Sequence, residues 1–371
     1  ADETRSCTQL WEHGQRVAAA LDAEGMQFGE AFAVIMQNHP EFVDVMVGSS
    51  IAGTVFVPID PRTKGKKLAF MLEHAGCRGA VIGDYALAHL LEVLGECPSL
   101  EWIWVLGDAS AAAATALRVR DIADVLATPC EDMAVRVLYT SGTTGDPKAI
   151  LSPYSRFALV ASLGEALGMR ADDRAYTGLS LTHANAQLIT LGTVLFMGQR
   201  GVFSRKFTKS RLWDITRHYG CTVFNLLGGM TTAIYSEPHK DNDADNPVRY
   251  VLSAGMPAAL WEKFEQRYDL RVYEFYGAAE GGLTLNPPGT GPIGSIGKPP
   301  PTMLARIVDE HDNDCAPGEP GEIIFRNADD TAPVVAYFRN PDASRKKTAG
   351  GWLRMGDIGY RDADGWFYFL Y

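Results

Sequence analysis

The stretch Tyr139-Thr140-Ser141-Gly142-Thr143-Thr144-Gly145-Asp146-Pro147-Lys148 follows directly on a hydrophobic run, Val135 to Tyr139, that reads as a strand. Four short-chain hydroxyls, two glycines and one lysine fall within ten residues. Glycine lets the backbone turn so that amides face inward, the hydroxyls add donors, and lysine brings a movable positive charge; together they make a cradle for phosphate oxygens. A generic Gly/Ser/Thr string reads as a polar surface loop, and the order of residues here is far more specific. The spacing is not GxxxxGK[ST], so this is not the loop of P-loop NTPases.

Upstream of the loop, strand and helix signals alternate. Leu10, Gly14, Val17, Ala18 and Leu21 recur at helical spacing. Phe32 to Met36 reads as a buried strand ending in an Asn38-His39-Pro40 turn. A helix with Phe42, Val45, Met46 and Ser49 on one face follows, then a strand at Val55 to Val57. Leu68, Met71, Leu72 and Ala75 mark another helix, and Ala80 to Ile82 another strand. Ala109 to Ala114 is low in complexity and reads as an exposed connector or helix start. Downstream, Thr222 to Leu227 and Val248 to Leu252 are further strands. This alternation predicts an α/β fold with helices on the faces of its sheets. From Asn286 to Pro301 the chain turns rich in proline and glycine, which predicts a crossing between subdomains. Ala305 to Val308, Gly321 to Arg326 and Trp366 to Leu370 then predict a small β-rich lobe. The division expected is two α/β lobes over residues 1–285 and a mainly β-rich, barrel-like lobe over 286–371.

Composition sets the class. Hydrophobic residues make up 46% and charged residues 21% of the 371, which fits a folded globular protein. A formal net charge of −11 opposes nucleic acid or an anionic membrane as the main partner. The most apolar stretch, Leu188 to Met197, is too short to span a bilayer. Six scattered cysteines without CxxC or metal-ligand spacing read as buried, reduced thiols, which predicts a cytoplasmic enzyme.

The phosphate loop closely resembles that of the adenylate-forming (ANL) superfamily of acyl-CoA synthetases, peptide-synthetase adenylation domains and luciferases. Other segments match that family in order. Tyr273-Glu274-Phe275-Tyr276-Gly277-Ala278-Ala279-Glu280 resembles its YGxTE element. The resemblance implies that Tyr276 stacks on adenine, with Glu274, Phe275, Gly277, Ala278 and Ala279 around the nucleotide, and that Glu280 and Thr144 hold Mg²⁺. A carboxylate suits magnesium as a hard oxygen ligand. Ser253-Ala254-Gly255-Met256-Pro257 resembles the segment on the other side of the adenine, and Trp352-Leu353-Arg354-Met355-Gly356-Asp357 the W-x-x-T-G-D element, whose aspartate binds both ribose hydroxyls. Thr140, Ser141, Gly142, Thr143, Thr144, Gly145 and Lys148 would hold the phosphates. Ala149 replaces a usual glycine, Ala279 a usual threonine, and Met355 a usual small hydroxyl residue. Gly321-Glu322 and Tyr337-Phe338-Arg339-Asn340-Pro341-Asp342 also match family elements and read as structural. In the family a hinge and a small C-terminal domain follow, so the resemblance implies that this chain is the large domain without that cap and adenylates slowly.

Leu179-Ser180-Leu181-Thr182-His183-Ala184-Asn185-Ala186-Gln187 matches the segment that gates the acyl pocket. Amino-acid-activating members place an aspartate near here; His183 and Asn185 instead favour a plain carboxylic acid. Phe224 and Asn225, with Gly228 and Gly229, should form another wall, and Gly228, Gly229, Ala278, Gly281 and Gly282 would remove bulk. A roomy apolar pocket follows, suited to a bulky acid such as a natural-product intermediate of secondary metabolism. The expected reaction joins the acid to ATP as acyl-AMP, releasing pyrophosphate, with Lys148, Glu280, Thr144 and His183 as catalytic candidates. Coenzyme A then takes the acyl group. An enzyme loading a carrier protein, a luciferase-like oxygenase and a nucleotide-binding regulator with impaired catalysis are the rival readings, and a homodimer is an open option.

Overall fold

The computed structural model describes residues 2–128, 150 and 154–371. The phosphate loop, with Thr140, Ser141, Gly142, Thr143, Thr144, Gly145 and Lys148, lies outside them, as does the strand read at Val135 to Tyr139. The chain divides into two compact units: residues 1–159 with 180–187, and residues 160–179 with 188–371.

Unit 1 holds a five-stranded parallel sheet made of β1 (Ala31–Ile35), β2 (Val55–Pro58), β3 (Cys77–Gly83), β4 (Trp102–Leu106) and β5 (Arg118–Asp121), in the order β2-β1-β3-β4-β5. All five residues of β1 are buried, so this strand reads as one apolar run rather than an alternation. Ala33, Ile35, Val57, Ile82 and Ile103 pack on one face with Leu68, Leu72, Leu87 and Leu90. On the other face Phe32 meets Trp102 at 5.7 Å between ring centres, and Phe42 of α2 (Pro40–Ala52) meets Phe56 edge-on at 5.7 Å. α1 (Cys7–Ala23) starts from a capping box, Ser6 with Gln9, and crosses α2 closely. A β-carbon on Gly14 would lie 2.5 Å from Val47, and one on Gly48 would lie 2.3 Å from Val17. Two expectations need correction. The alanine-rich stretch is mostly exposed as expected, but Ala112 is fully buried because a tight turn over Ser110–Ala112 tucks it under the core. Cys7 is exposed, because the first residue of α1 faces solvent. Cys77, Cys97 and Cys221 are buried free thiols.

Unit 2 holds two sheets. The larger comprises β6 (Arg174–Thr177), β7 (Arg200–Phe203), β8 (Val223–Leu227), β9 (Tyr250–Ala254), β10 (Arg271–Ala278) and β11 (Gly281–Asn286), in the order β11-β10-β9-β8-β6-β7. It is parallel except for the β10–β11 hairpin. Both faces are covered: Phe224, Leu226, Val251 and Val272 pack with Trp213, Trp261 and Phe264, while Val223, Tyr250, Leu252 and Tyr273 pack with Leu167, Met169 and Val194. The smaller sheet is antiparallel: β12 (Met303–Val308), β13 (Gly321–Asn327), β14 (Leu353–Arg361) and β15 (Phe367–Phe369). The proline- and glycine-rich stretch lays Ser295 to Lys298 between the sheets. Lys298 bridges to Leu285 of β11 and Gly297 to Phe367 of β15, and Thr284 donates to the Ile296 carbonyl at 2.6 Å. Among the described residues no helix is long and apolar enough to cross a membrane.

Candidate nucleotide site

Three of the sequence-derived nucleotide residues come together in unit 2, and bulges aim two of them. In β14, Ile324 of the neighbouring strand pairs with Arg354 and Glu322 with Ile358, so Met355, Gly356 and Asp357 bulge out opposite Ile323 alone. Such bulges re-aim a side chain at the rim of a sheet. Gly356 holds φ +76°, a left-handed value that suits glycine. Glu322 fixes the bulge from behind, accepting from the Gly356 N–H at 3.1 Å and from Arg354 at 2.6 Å. A second register shift lies between Tyr276 and Ala278 in the β10–β11 hairpin. The two irregularities meet: the Tyr276 hydroxyl donates to Oδ2 of Asp357 at 2.5 Å. The Tyr276 ring also stacks near Phe325 and Phe369, at 6.3 and 6.1 Å. Burial and the neighbouring Asp357 and Glu280 carboxylates push the Tyr276 phenol far above its ordinary pKa, so it stays a donor.

Glu280 occupies the two-residue tip of that hairpin, half-buried. Its Oε1 accepts from the hydroxyl of Tyr337 at 2.6 Å, and among the described residues Oε2 has no hydrogen-bond partner. An open carboxylate oxygen fits a hard divalent cation such as magnesium.

Glu274 takes a different place from the one expected. It is 2% exposed, and its carboxylate accepts from the Gly255 N–H at 2.5 Å and the Met256 N–H at 3.1 Å. Burial pushes its pKa up to about 7 against these two bonds. It therefore holds the 255–257 turn rather than facing a ligand. Gly255 needs that hold, with φ +100° and the helix Ala258–Tyr268 starting right after Pro257. The side chains of Met256 and Phe275 are buried in the two cores of the larger sheet. Only backbone at these positions is left to line a ligand, and the N–H groups of Gly255 and Met256 are already taken.

The residues expected to line an acyl pocket fall in both units of the chain. In unit 1, Nδ1 of His183 accepts from the Asn185 N–H at 3.2 Å, and Asn38 accepts from the Leu181 N–H at 2.7 Å. His183 keeps solvent contact, yet the protein around it lowers its pKa by desolvation, which favours the neutral ring. Asn185 opens a π-helical stretch, Asn185–Gly192, a form often found at functional sites. In unit 2, Asn225 accepts from buried Thr190 at 2.9 Å.

Three pocket assignments change. Phe224 is fully buried, edge-on to Trp213 at 5.7 Å, because its place in β8 points it into the core. The missing side chain of Gly228 makes room for the Gly255 carbonyl, 2.8 Å from where a β-carbon would be. That of Gly282 makes room for Phe325, at 2.7 Å. Their small size makes room for other parts of the protein, a backbone carbonyl at Gly228 and the Phe325 ring at Gly282. Of these three glycines only Gly229 faces open space, with no atom within 4 Å of where its β-carbon would be. Ala278 and Ala279 lie at or beside the hairpin tip, Ala278 exposed, and Gly281 starts β11 with φ +137°. Sequence reasoning does not single out Tyr337, Asn38 or Thr190 for the site. Each acts through a contact remote in sequence, and of the three only Tyr337 lies in a segment that matches a family element.

Residues 1–331 match the family described as AMP-binding enzyme. The medium/long-chain fatty acid–CoA ligase FadD17 of Mycobacterium marinum is 30% identical over 362 residues, covering 96% of this chain and 69% of that protein. The sulfoacetate–CoA ligase of Cupriavidus necator is 29% identical, covering 93% of this chain and 68% of that protein. Other curated relatives are covered over only 60% of their length. The crystal structure of the anthranilate–CoA ligase AuaEII in complex with anthranoyl-AMP superposes with a TM-score of 0.87 at 25% identity, covering 98% of this chain and 72% of that one.

Proposed function

The chain belongs to the AMP-binding enzyme family, and from that premise we propose that it activates a carboxylic acid with ATP as an acyl adenylate, the acyl group passing next to coenzyme A. The observation that carries the reading is the junction of Tyr276, Asp357 and Glu280 at the meeting of two sheets, two of them aimed by bulges. Asp357 takes the ribose, and the turn at Gly255 to Pro257 and the Tyr276 edge frame the adenine. The sequence between Thr140 and Lys148 supplies the phosphate donors. Glu280, with Thr144, would hold magnesium, which supplies charge neutralisation on the phosphates when bound. In the reaction a carboxylate oxygen of the acid bonds to the α-phosphorus while the bond to pyrophosphate breaks. The protein aligns the two reactants and balances charge.

The acid carries no α-ammonium group in this reading, since His183 and Asn185 stand where an acidic partner would be needed. Room for a bulky group rests on Gly229. The relatives named as CoA ligases support coenzyme A as acceptor. Acid-dependent exchange of labelled pyrophosphate into ATP tests the reading, run over short, aryl, long-chain and polycyclic acids, with mass spectrometry for acyl-AMP. Exchange with at least one class is expected. Nucleotide binding without exchange for any acid would instead favour a nucleotide-binding regulator.

A further inference from the structure

We infer that Tyr337 is a positioning residue for Glu280: it fixes one oxygen of that carboxylate so that the other is presented to the divalent cation. The inference rests on the proposed role of Glu280. Tyr337 is 7% exposed, lies 57 residues from Glu280 in sequence, and donates to Oε1 at 2.6 Å. Its own backbone is held tightly. The Tyr337 N–H donates to Oγ of Ser344 at 2.9 Å, and the Tyr337 carbonyl accepts from the Asn340 N–H at 3.2 Å. Asn340 in turn caps the helix Pro341–Lys347, accepting from the Ala343 N–H at 3.0 Å. Lys347, at the end of that helix, donates to the Met355 carbonyl in the bulge that carries Asp357, at 2.9 Å.

Among the described residues the hairpin tip that carries Glu280 has no such frame of its own. It joins strands whose register is already broken, and Gly281 and Gly282 follow with positive φ. A carboxylate there would sample several rotamers, and a hydrogen bond from a fixed phenol selects one. Outer partners of this kind orient a ligand and leave its other oxygen free for the metal. The helix cap, Tyr337 and Lys347 thus place the cation ligand and the ribose ligand from one short segment.

The test is Tyr337→Phe, with Glu280→Gln as reference, read by calorimetry of a non-cleavable ATP analogue across a magnesium titration and by AMP binding without metal. The magnesium midpoint should rise about tenfold in Tyr337→Phe, while metal-free AMP affinity stays at the wild-type value. In the Glu280→Gln background the Tyr337→Phe change should add nothing. An unchanged midpoint, or an equal loss with and without magnesium, overturns the positioning role. If wild type and Glu280→Gln respond alike to magnesium, the metal role of Glu280 itself fails and takes this inference with it.

Discussion

The hydroxyl of Tyr276 in β10 lies 2.5 Å from Oδ2 of Asp357 in β14, joining two strands of different sheets across 81 residues of sequence. The pair orients one oxygen of Asp357, the residue proposed to bind the ribose. Asp357→Ala should weaken AMP binding by about 1.5–3 kcal/mol, the usual worth of hydrogen bonds to a charged group. Tyr276→Phe keeps the ring and removes the donor, so it should cost less than Asp357→Ala. Calorimetry with AMP reads both. Equal affinities in wild type and Asp357→Ala would remove Asp357 from the ribose site.

Glu274 gives the stability of the fold a pH dependence of definite sign. The ordinary value is 4.5 and burial raises it to about 7. Between these values the unfolded chain has released the proton and the folded chain retains it. Stability therefore falls as pH rises from 4.5 to 7, by about 3 kcal/mol from this group. Glu274→Gln keeps an acceptor for the Gly255 turn and cannot titrate. Urea unfolding at pH 5 and pH 7 should show a smaller fall for the variant than for wild type. Identical slopes would sink the assignment.

Gly228 and Gly229 are neighbours with opposite expectations. Gly228→Ala drives a methyl against the Gly255 carbonyl and should destabilise by about 1–3 kcal/mol, as overpacking does. Gly229→Ala meets open space and should leave the thermal midpoint near wild type. If Gly229 borders the acyl pocket, Gly229→Val shifts preference toward smaller acids. Thermal melts and pyrophosphate exchange over an acid series measure the two effects separately. An unchanged acid preference in Gly229→Val would place the pocket elsewhere.

His183 accepts a backbone hydrogen bond through Nδ1, which only the neutral ring can do. Its lowered pKa means that, as pH falls below about 6.5, the unfolded chain takes up the proton before the folded one, so the contribution to stability is lost downward in pH. The KM for the acid should rise over the same acidic range in wild type. His183→Ala should raise KM at every pH and flatten that dependence. A wild-type KM that ignores pH would detach His183 from the acid site.

The sequence carries much of this, unevenly. β1 and β3 are legible because short apolar runs bounded by turns describe strands buried on both faces. Local motifs single out Tyr276, Asp357 and Glu280 but do not show that two of them lie on strands. Their strands are hidden because bulges at Gly356 and next to Gly282 break the period-2 pattern that identifies a strand. Small residues at 228 and 282 read as pocket room, since a sequence does not say what fills the space a missing side chain leaves. Tyr337 cannot be linked to Glu280 from sequence, because nothing local encodes a partner 57 residues away.

The bridge of Ser295 to Lys298 between β11 and β15 has an energetic consequence. Lys298 is hydrogen-bonded to one sheet and Gly297 to the other, and Ser295 donates to the Phe367 carbonyl at 2.9 Å. At that edge both sheets are hydrogen-bonded to the same short segment, Ser295 to Lys298. β11 follows the hairpin tip that carries Glu280, and β15 pairs with β14, which carries Asp357, so opening at one is coupled to the other, and amide exchange in β11 and β15 should slow together on nucleotide binding.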